Sequence, residues 1–397
     1  MTMRINYIAP ADHTGYACAA AQYIRLLVAH GVSVCFQPLL PGPGLGLWYE
    51  CAAPPQTQLV LQQELMLDAD TVLHVVPEYY APLTQWLRER GVRGKIVGMT
   101  VWETSKLPRH WPALLNRMDA ILVPSAWNRT VFLESGVTRT VFCLPHASEF
   151  EGRAPRAETV ARLRARLPET AGKFVFYSIG AWSYRKGNDL LLKAFRRAFR
   201  GRHDVLLILK TSPRSLDSPA PLWRRAIRRV LGAREPLERV LSGNDPRIVL
   251  LTDDMSSDEV AALHGSGDCY VSCARGEGWG MGLYEAVWFG KPFLAPEHGG
   301  HRAFLAEDDL SGLVRSVAVP VRTPGRDGSY TRDQWWDEVD VPSMALAMRR
   351  MVESVERYRA EAEVLAKGMR QQFGGEAIAN TFVSILKRLQ EREDLSR

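Results

Sequence analysis

The sequence predicts an α/β protein of two doubly wound domains facing one another across a cleft, and three observations lead there. The chain has 397 residues, more than one compact core usually holds, so two domains of about 150 to 200 residues each are expected. Short apolar runs alternate with longer helical patterns along its whole length, which argues for parallel sheets covered on both faces. A polar stretch rich in Arg, Glu and Pro, EFEGRAPRAETVARLRARLPETAGKF, interrupts the alternation between Pro145 and Phe174, and a linker is placed there, near residues 150 to 172.

In chain order, RINYIAP reads as a strand, GYACAAAQYIRLLVAHG as a helix and VSVCFQPL as the next strand, with TVLHVV, KIVGMTVW, AILVPS and TVFCLP continuing the strands of the first half. In the second half FVFYSIG, VLLILK, RIVLLT, CYVSCA and PFLAP repeat the series, separated by helices such as NDLLLKAFRRAF and SDEVAALHGSG. The expected organisation is residues 1–160 as a first Rossmann-like domain, 170–375 as a second, and 376–397 as a terminal helix crossing back to the first. No repeat at fixed period and no low-complexity tract is present in the sequence.

Composition narrows the class. Apolar residues make up 46% and charged residues 24%, the mix of a globular protein rather than a disordered one. No run of eighteen uncharged apolar residues occurs, and the apolar run before Asp12 is too short for a secretory signal, so a cytoplasmic location is expected. Six cysteines lie scattered with no CxxC pair and are read as reduced and mostly buried. The net charge is +6, with part of the excess in PLWRRAIRRVLGAREPLERVL, Pro221 to Leu241. There Arg224, Arg225, Arg228 and Arg229 recur at helical spacing. The segment reads either as a solvated helix face or as a peripheral contact for anionic lipid or an anionic acceptor. It carries no nucleic-acid signature.

In open parallel sheets, ligands settle outside the carboxyl ends of the strands where the strand order reverses. CYVSCA ends near Ala274, and LYEAVWFG reads as a short helix stopped by Gly290, so RGEGWGMG is a strand-to-helix loop at that edge. Gly280 and Gly282 allow a close backbone approach, and the N–H groups of Met281, Gly282 and Leu283 at the helix start suit an anion such as a diphosphate. Glu277 at one end suits sugar hydroxyls or a developing positive charge, and Glu285 at the other suits two adjacent hydroxyls such as a ribose offers. Read from spacing alone, Glu285 equally complements the helix dipole and Glu277 equally faces solvent.

Two Glu separated by seven residues in EGWGMGLYEAVWFGKPFLAP resemble the acidic motif of the retaining glycosyltransferases of family GT4, which have the GT-B fold. The resemblance extends to SIGAWSYRKGNDLLLKAF and to VWETSKLPRHWPALLNRMDAILVPSAWNRTVFLESGV, covering most of residues 95 to 310. It implies transfer of a sugar from a nucleoside diphosphate donor, UDP- or GDP-linked, to a glycan, lipid-linked or small-molecule acceptor. No metal or other cofactor is implied, and Asp253 and Asp254 in LTDDMSSDE read as capping and loop residues rather than a metal motif.

The same resemblance places Glu277 at the sugar, Glu285 at the ribose and Lys186 at the diphosphate, where a positioned cation favours the departing charge. Where the family carries an arginine this chain has Ala181, so either Arg185 substitutes, or Lys210 contributes, or the phosphate site is weaker. Gly15 in ADHTGYA resembles the glycine loop that reaches donor phosphate and acceptor, with His13 beside it. Glu103 in VWETSKLP stands where many members carry a histidine near the transferred sugar. Ser125 and Asn128 read as cleft-wall residues, Ser125 alternatively as a helix cap, and His146 as a hinge residue followed by Ala147 in place of the family's glycine. GGHRAFL resembles the loop beneath the donor sugar, preceding a further helix, with His301 or Arg302 tuning sugar choice. Two other readings keep the fold: a nucleotide-sugar 2-epimerase, and an inactive nucleotide-sugar binder motivated by Ala181.

Overall fold

The computed structural model describes residues 3–11, 14–39, 64–211, 245–305, 311–322 and 329–394. The basic segment 221–241, His13 and Cys51 lie outside the described residues. Six strands form a parallel sheet in the first half: β1 (Arg4–Pro10), β2 (Ser33–Leu39), β3 (Asp70–His74), β4 (Ile96–Met99), β5 (Ala120–Val123) and β6 (Val141–Cys143), in the order β2-β1-β3-β4-β5-β6. A second parallel sheet orders β7 (Phe174–Ile179), β8 (Val205–Lys210), β9 (Ile248–Leu251), β10 (Cys269–Val271), β11 (Phe293–Pro296) and β12 (Leu313–Val314) as β12-β11-β10-β7-β8-β9. The strand order reverses at β1/β3 in one sheet and at β7/β10 in the other, so the loops leaving β7 and β10 meet at a switch point. β3, β4 and β5 are buried along their whole length, because helices cover both faces and leave no polar side to alternate with.

The helices are α1 (Gly15–Ala29), α2 (Tyr80–Glu89), α3 (Trp111–Leu115), α4 (Ala126–Glu134), α5 (Ala157–Arg166), α6 (Asn188–Ala198), α7 (Ser257–Ser266), α8 (Met281–Trp288), α9 (Val341–Glu353), α10 (Val355–Gln372) and α11 (Gly375–Asp394). Thr14 caps α1, accepting from the Ala17 N–H, and Asp340 caps α9, accepting from the Ser343 N–H. At α7 the cap is Ser256, which forms a reciprocal capping box with Glu259. Of the capping and loop roles expected for Asp253 and Asp254, capping is therefore corrected: both lie in the loop before the helix, and Asp253 pairs with Arg166 at 2.8 Å.

The polar stretch read as a linker is not extended. It folds into α5, which turns Thr159 and Leu163 inward and packs against α7, where Pro155 closes on Gly265. Charge density at Arg162, Arg164 and Arg166 hid the one buried leucine that anchors the helix.

α11 lies against α1 and buries Ile378, Ala379, Phe382, Ile385, Leu386 and Leu389. Phe382 meets the ring of Tyr23 edge-on at 5.6 Å, and Gln390 donates to Asp70 at 3.1 Å. Each large apolar side chain so buried contributes about 1.5–3 kcal/mol relative to exposure.

One element has no counterpart in the sequence reading. Between β12 and α9 the chain forms an antiparallel ribbon of β13 (Ser316–Pro320) and β14 (Trp335–Val339). The ribbon reaches the first half: Ser105 N–H donates to the Trp335 carbonyl at 2.8 Å, the Trp335 N–H donates to Ser105 Oγ at 2.9 Å, and Lys106 pairs with Asp333 at 3.0 Å. Among the described residues no helix is long and apolar enough to cross a membrane.

Candidate functional site

The loop leaving β10 packs directly on the loop leaving β4. A Cβ on Gly276 would overlap the Glu103 carbonyl oxygen, and one on Gly278 would overlap a methyl of Val101. Asn128 ties these loops together from the start of α4. Its carbonyl oxygen accepts from the Trp102 N–H at 2.8 Å, while its amide nitrogen donates to the carbonyls of Trp102 and Gly278 at 3.1 and 3.3 Å. Ser125 is the α4 cap, accepting from the Asn128 N–H, and is buried, donating to the Gly278 carbonyl at 3.2 Å.

Within this junction Glu103, Arg185, Lys186 and Glu277 come together. Lys186 Nζ lies 2.5 Å from Glu277 Oε1; Arg185 lies 3.4 Å from Glu277 Oε2 and 3.5 Å from Glu103 Oε1. Arg185 also donates to the Gly276 carbonyl at 2.7 Å. Burial opposes the charge of Glu277, but Lys186 and Arg185 outweigh it and hold the carboxyl below its ordinary range. The cations thus stand at the switch point with a carboxylate already between them. Gly187, with φ +64°, makes their loop possible, since a Cβ there would overlap the Cys273 carbonyl oxygen.

Gly280, at φ +92°, turns the chain into α8. The first intrahelical bond runs from the Tyr284 N–H to the Gly280 carbonyl at 2.9 Å, so the N–H groups of Met281, Gly282 and Leu283 precede it and are left for partners outside the helix. Gly282 is also required by the protein's own packing: a Cβ there would meet Tyr270 Oη at 2.5 Å and the Ile179 carbonyl oxygen at 2.9 Å.

Glu285 sits one turn into α8 and is buried. Burial pushes its carboxyl up to about 8, so it is largely protonated at neutral pH. His264 Nε2 lies 3.7 Å from Glu285 Oε2, and the other ring nitrogen of His264 pairs with Tyr177 Oη at 2.9 Å. Burial lowers His264 to about 3, keeping it neutral.

Of the remaining expected residues, Lys210 ends β8 with its ammonium donating to the Thr211 carbonyl at 3.0 Å, outside the cluster around Glu277. Gly15 opens α1 with open space where a Cβ would be; the adjacent Tyr16 hydroxyl reaches Thr100 Oγ1 at 2.8 Å, beside the β4 loop. His146 is buried, pairs with Tyr23 Oη at 3.0 Å and faces Trp279 edge-on at 5.7 Å, linking α1 to the acidic loop. GGHRAFL precedes no helix among the described residues; Gly300–Ala303 is itself a single 3-10 turn, and the next described element is β12. His301 within it is locked to the Pro296 carbonyl at 2.7 Å, and the Gly300 N–H donates to the Glu277 carbonyl at 2.7 Å.

Four contributors were missed. Arg275 is buried under the acidic loop, pairing with Asp189 at 3.0 Å and Glu338 at 2.8 Å. Tyr330 donates to Glu103 at 3.1 Å and stacks on Trp102 at 5.1 Å. Trp335 and Asp337 of β14 line a cavity beside Glu277. The WWDE sequence of the ribbon, aromatic rings beside acids, was the available signal.

No family model and no curated protein matches the chain. Solved structures do. The chain is similar to HepE of Anabaena in complex with UDP-glucose, at TM-score 0.67 and 14% identity over 97% of this chain and 100% of that one. It is similar to sucrose-phosphate synthase from Thermosynechococcus elongatus at TM-score 0.67 and 14% identity, over 98% and 100%. It is also similar to the α,α-trehalose 6-phosphate synthase from Burkholderia multivorans at TM-score 0.62 and 12% identity, over 99% and 100%. The architecture is therefore GT-B, two Rossmann-like domains facing across a cleft.

Proposed function

We propose that the protein is a retaining glycosyltransferase of the GT4 type that moves a sugar from a nucleoside diphosphate donor to an acceptor hydroxyl, in the synthesis of a surface polysaccharide or lipid-linked glycan. The observation that carries the reading is the gathering of Lys186, Arg185 and the open start of α8 around Glu277 at the β7/β10 switch point. The fold shared with the UDP-glucose complex of HepE supports it.

On this reading the donor diphosphate lies against Lys186 and the Met281, Gly282 and Leu283 amides. Its arrival exchanges one anion for another at Lys186, releasing Glu277 to accept hydrogen bonds from the transferred sugar. Glu285 meets the ribose hydroxyls. The anomeric carbon–oxygen bond to the β-phosphate breaks and the acceptor oxygen forms the new bond on the same face. The acceptor's proton leaves on the nucleoside diphosphate, whose added negative charge Lys186 and Arg185 offset. UDP- and GDP-linked donors both fit this scheme.

Thermal unfolding with UDP, GDP, dTDP and ADP tests the reading. A nucleotide at about 100 times its dissociation constant stabilises by roughly 2.7 kcal/mol, and Lys186→Ala is expected to abolish the shift. No stabilisation by any of the four would overturn the nucleotide-sugar assignment. NMR of the product then reports whether the anomeric configuration is kept.

A further inference from the structure

A cavity of about 100 Å³ lies between the two halves, lined by Glu103, Trp127, Glu277, Trp335 and Asp337 among others. That volume holds several waters and so most of one pyranose ring. Arg185, Lys186 and residues 280–283 do not line it, so the groups that face a diphosphate on the reading above are not its walls. A sugar still attached to that diphosphate reaches only the Glu103 and Glu277 edge. The opposite end, made by α4 and the ribbon, is left for a different molecule.

The chemistry of that end is specific. Trp335 is 46% exposed and presents its indole, while Trp127 is half-buried, packed against the core of the first half and open to the cavity on its remaining side. Asp337 is half-buried on β14, burial raises its carboxyl, and no described residue forms a hydrogen bond to that carboxylate. Of the three carboxylates that line the cavity, Glu103 and Glu277 are paired with Arg185 and Lys186, and the one lining guanidinium, Arg275, is engaged by Asp189 and Glu338. Asp337 is left as the lining carboxylate with no ion pair among the described residues, and no lining cation stands open for a phosphate or carboxylate. Indole faces pack on the C–H face of a pyranose while carboxylates accept from its hydroxyls, the combination of apolar surface with few placed polar groups that fixes a small ligand.

We propose that the ribbon β13–β14 and Trp127 form a subsite for an uncharged saccharide, the acceptor end of the transfer, with Trp335 and Asp337 as its binding residues. This rests on the transferase reading and deepens it: the acceptor is a glycan, not an apolar aglycone or an anionic lipid headgroup. One acceptor hydroxyl oxygen bonds the anomeric carbon as the donor's bond to phosphate breaks, and its proton departs with the nucleoside diphosphate.

Saturation-transfer NMR tests it with the methyl α- and β-glycosides of glucose, galactose, mannose and N-acetylglucosamine, with and without each nucleoside diphosphate. At least one glycoside is expected to bind the wild-type protein, with binding weakened on the order of tenfold by Trp335→Ala and by Asp337→Asn, as for truncation of a packed aromatic anchor. Trp335→Phe is expected to restore most of it. Both variants keep the Trp335 N–H and carbonyl that bond Ser105 Oγ and the Ser105 N–H, and thermal shift with nucleotide, unchanged from wild type, verifies their fold. No glycoside binding, or binding equal in wild type and both variants, overturns the subsite. Glycoside binding that the two variants weaken, in a protein that binds no nucleotide at all, would sink the transferase reading and leave the saccharide site standing.

Discussion

The ammonium of Lys186 and the carboxylate of Glu277 form an ion pair at 2.5 Å, both mostly shielded from water. A diphosphate seeking Lys186 therefore competes with a carboxylate already in place. Glu277→Gln removes that competitor, so nucleoside diphosphates are expected to bind a few-fold more tightly while transfer falls roughly 100-fold, the scale of losing one preorganised polar group. Titration calorimetry beside a turnover assay checks both halves; weaker nucleotide binding in the variant would contradict the competition.

Asn128 satisfies one main-chain donor and two main-chain acceptors that would otherwise be buried without it. Asn128→Ala is expected to destabilise by about 1–3 kcal/mol, the range for leaving a buried polar group unpaired. A denaturant midpoint unchanged from wild type would show that water replaces the amide.

Glu285 gives a pH signature. Its carboxyl ordinarily titrates near 4.5 and is raised by burial to about 8. The folded state therefore binds a proton that the unfolded chain has lost, and stability declines as pH rises from about 4.5 through 8. His264, lowered from 6.5 to about 3, acts with the opposite sign below 6.5. Across pH 6.5 to 8 the lowered histidines His74, His146, His264 and His301 contribute alike to wild type and a Glu285 variant, so the difference between the two isolates the carboxyl. Glu285→Gln is expected to flatten the decline in thermal midpoint across that window, and an equal slope in both proteins would rule out the buried acid as its cause.

Gly276 is pressed against the Glu103 carbonyl. Gly276→Ala is expected to force the two loops apart, lowering transfer and increasing the radius of gyration seen by small-angle scattering. A variant as compact and active as wild type would show that the close approach yields cheaply.

The sheets were legible because β3, β4, β5 and their counterparts are short apolar runs between glycines and helices, a pattern local enough to survive without tertiary information. Gly280 and the two glutamates were legible for the same reason. The ribbon was not: Pro320, Trp335 and Trp336 show no alternation of apolar and polar residues, and its partner loop at Ser105 lies 230 residues away in sequence. The partition of roles also escaped. Gly282 looks free for a ligand until Tyr270 is placed behind it, and Asp253 looks like a cap until Ser256 and Glu259 close on one another. Spacing names the residue types available, while distances between distant segments decide which of them meet.

The ribbon leaves the second half to grip Ser105, and α11 leaves it again to lie along α1. The chain is therefore braided rather than beaded. A chimera that exchanged only residues 1–160 would carry a Rossmann unit whose α1 face and Trp102 loop were shaped for a foreign helix and a foreign ribbon. Recombining such proteins to change what they accept requires moving residues 316–339 and 375–394 along with the first half, as three segments and not one.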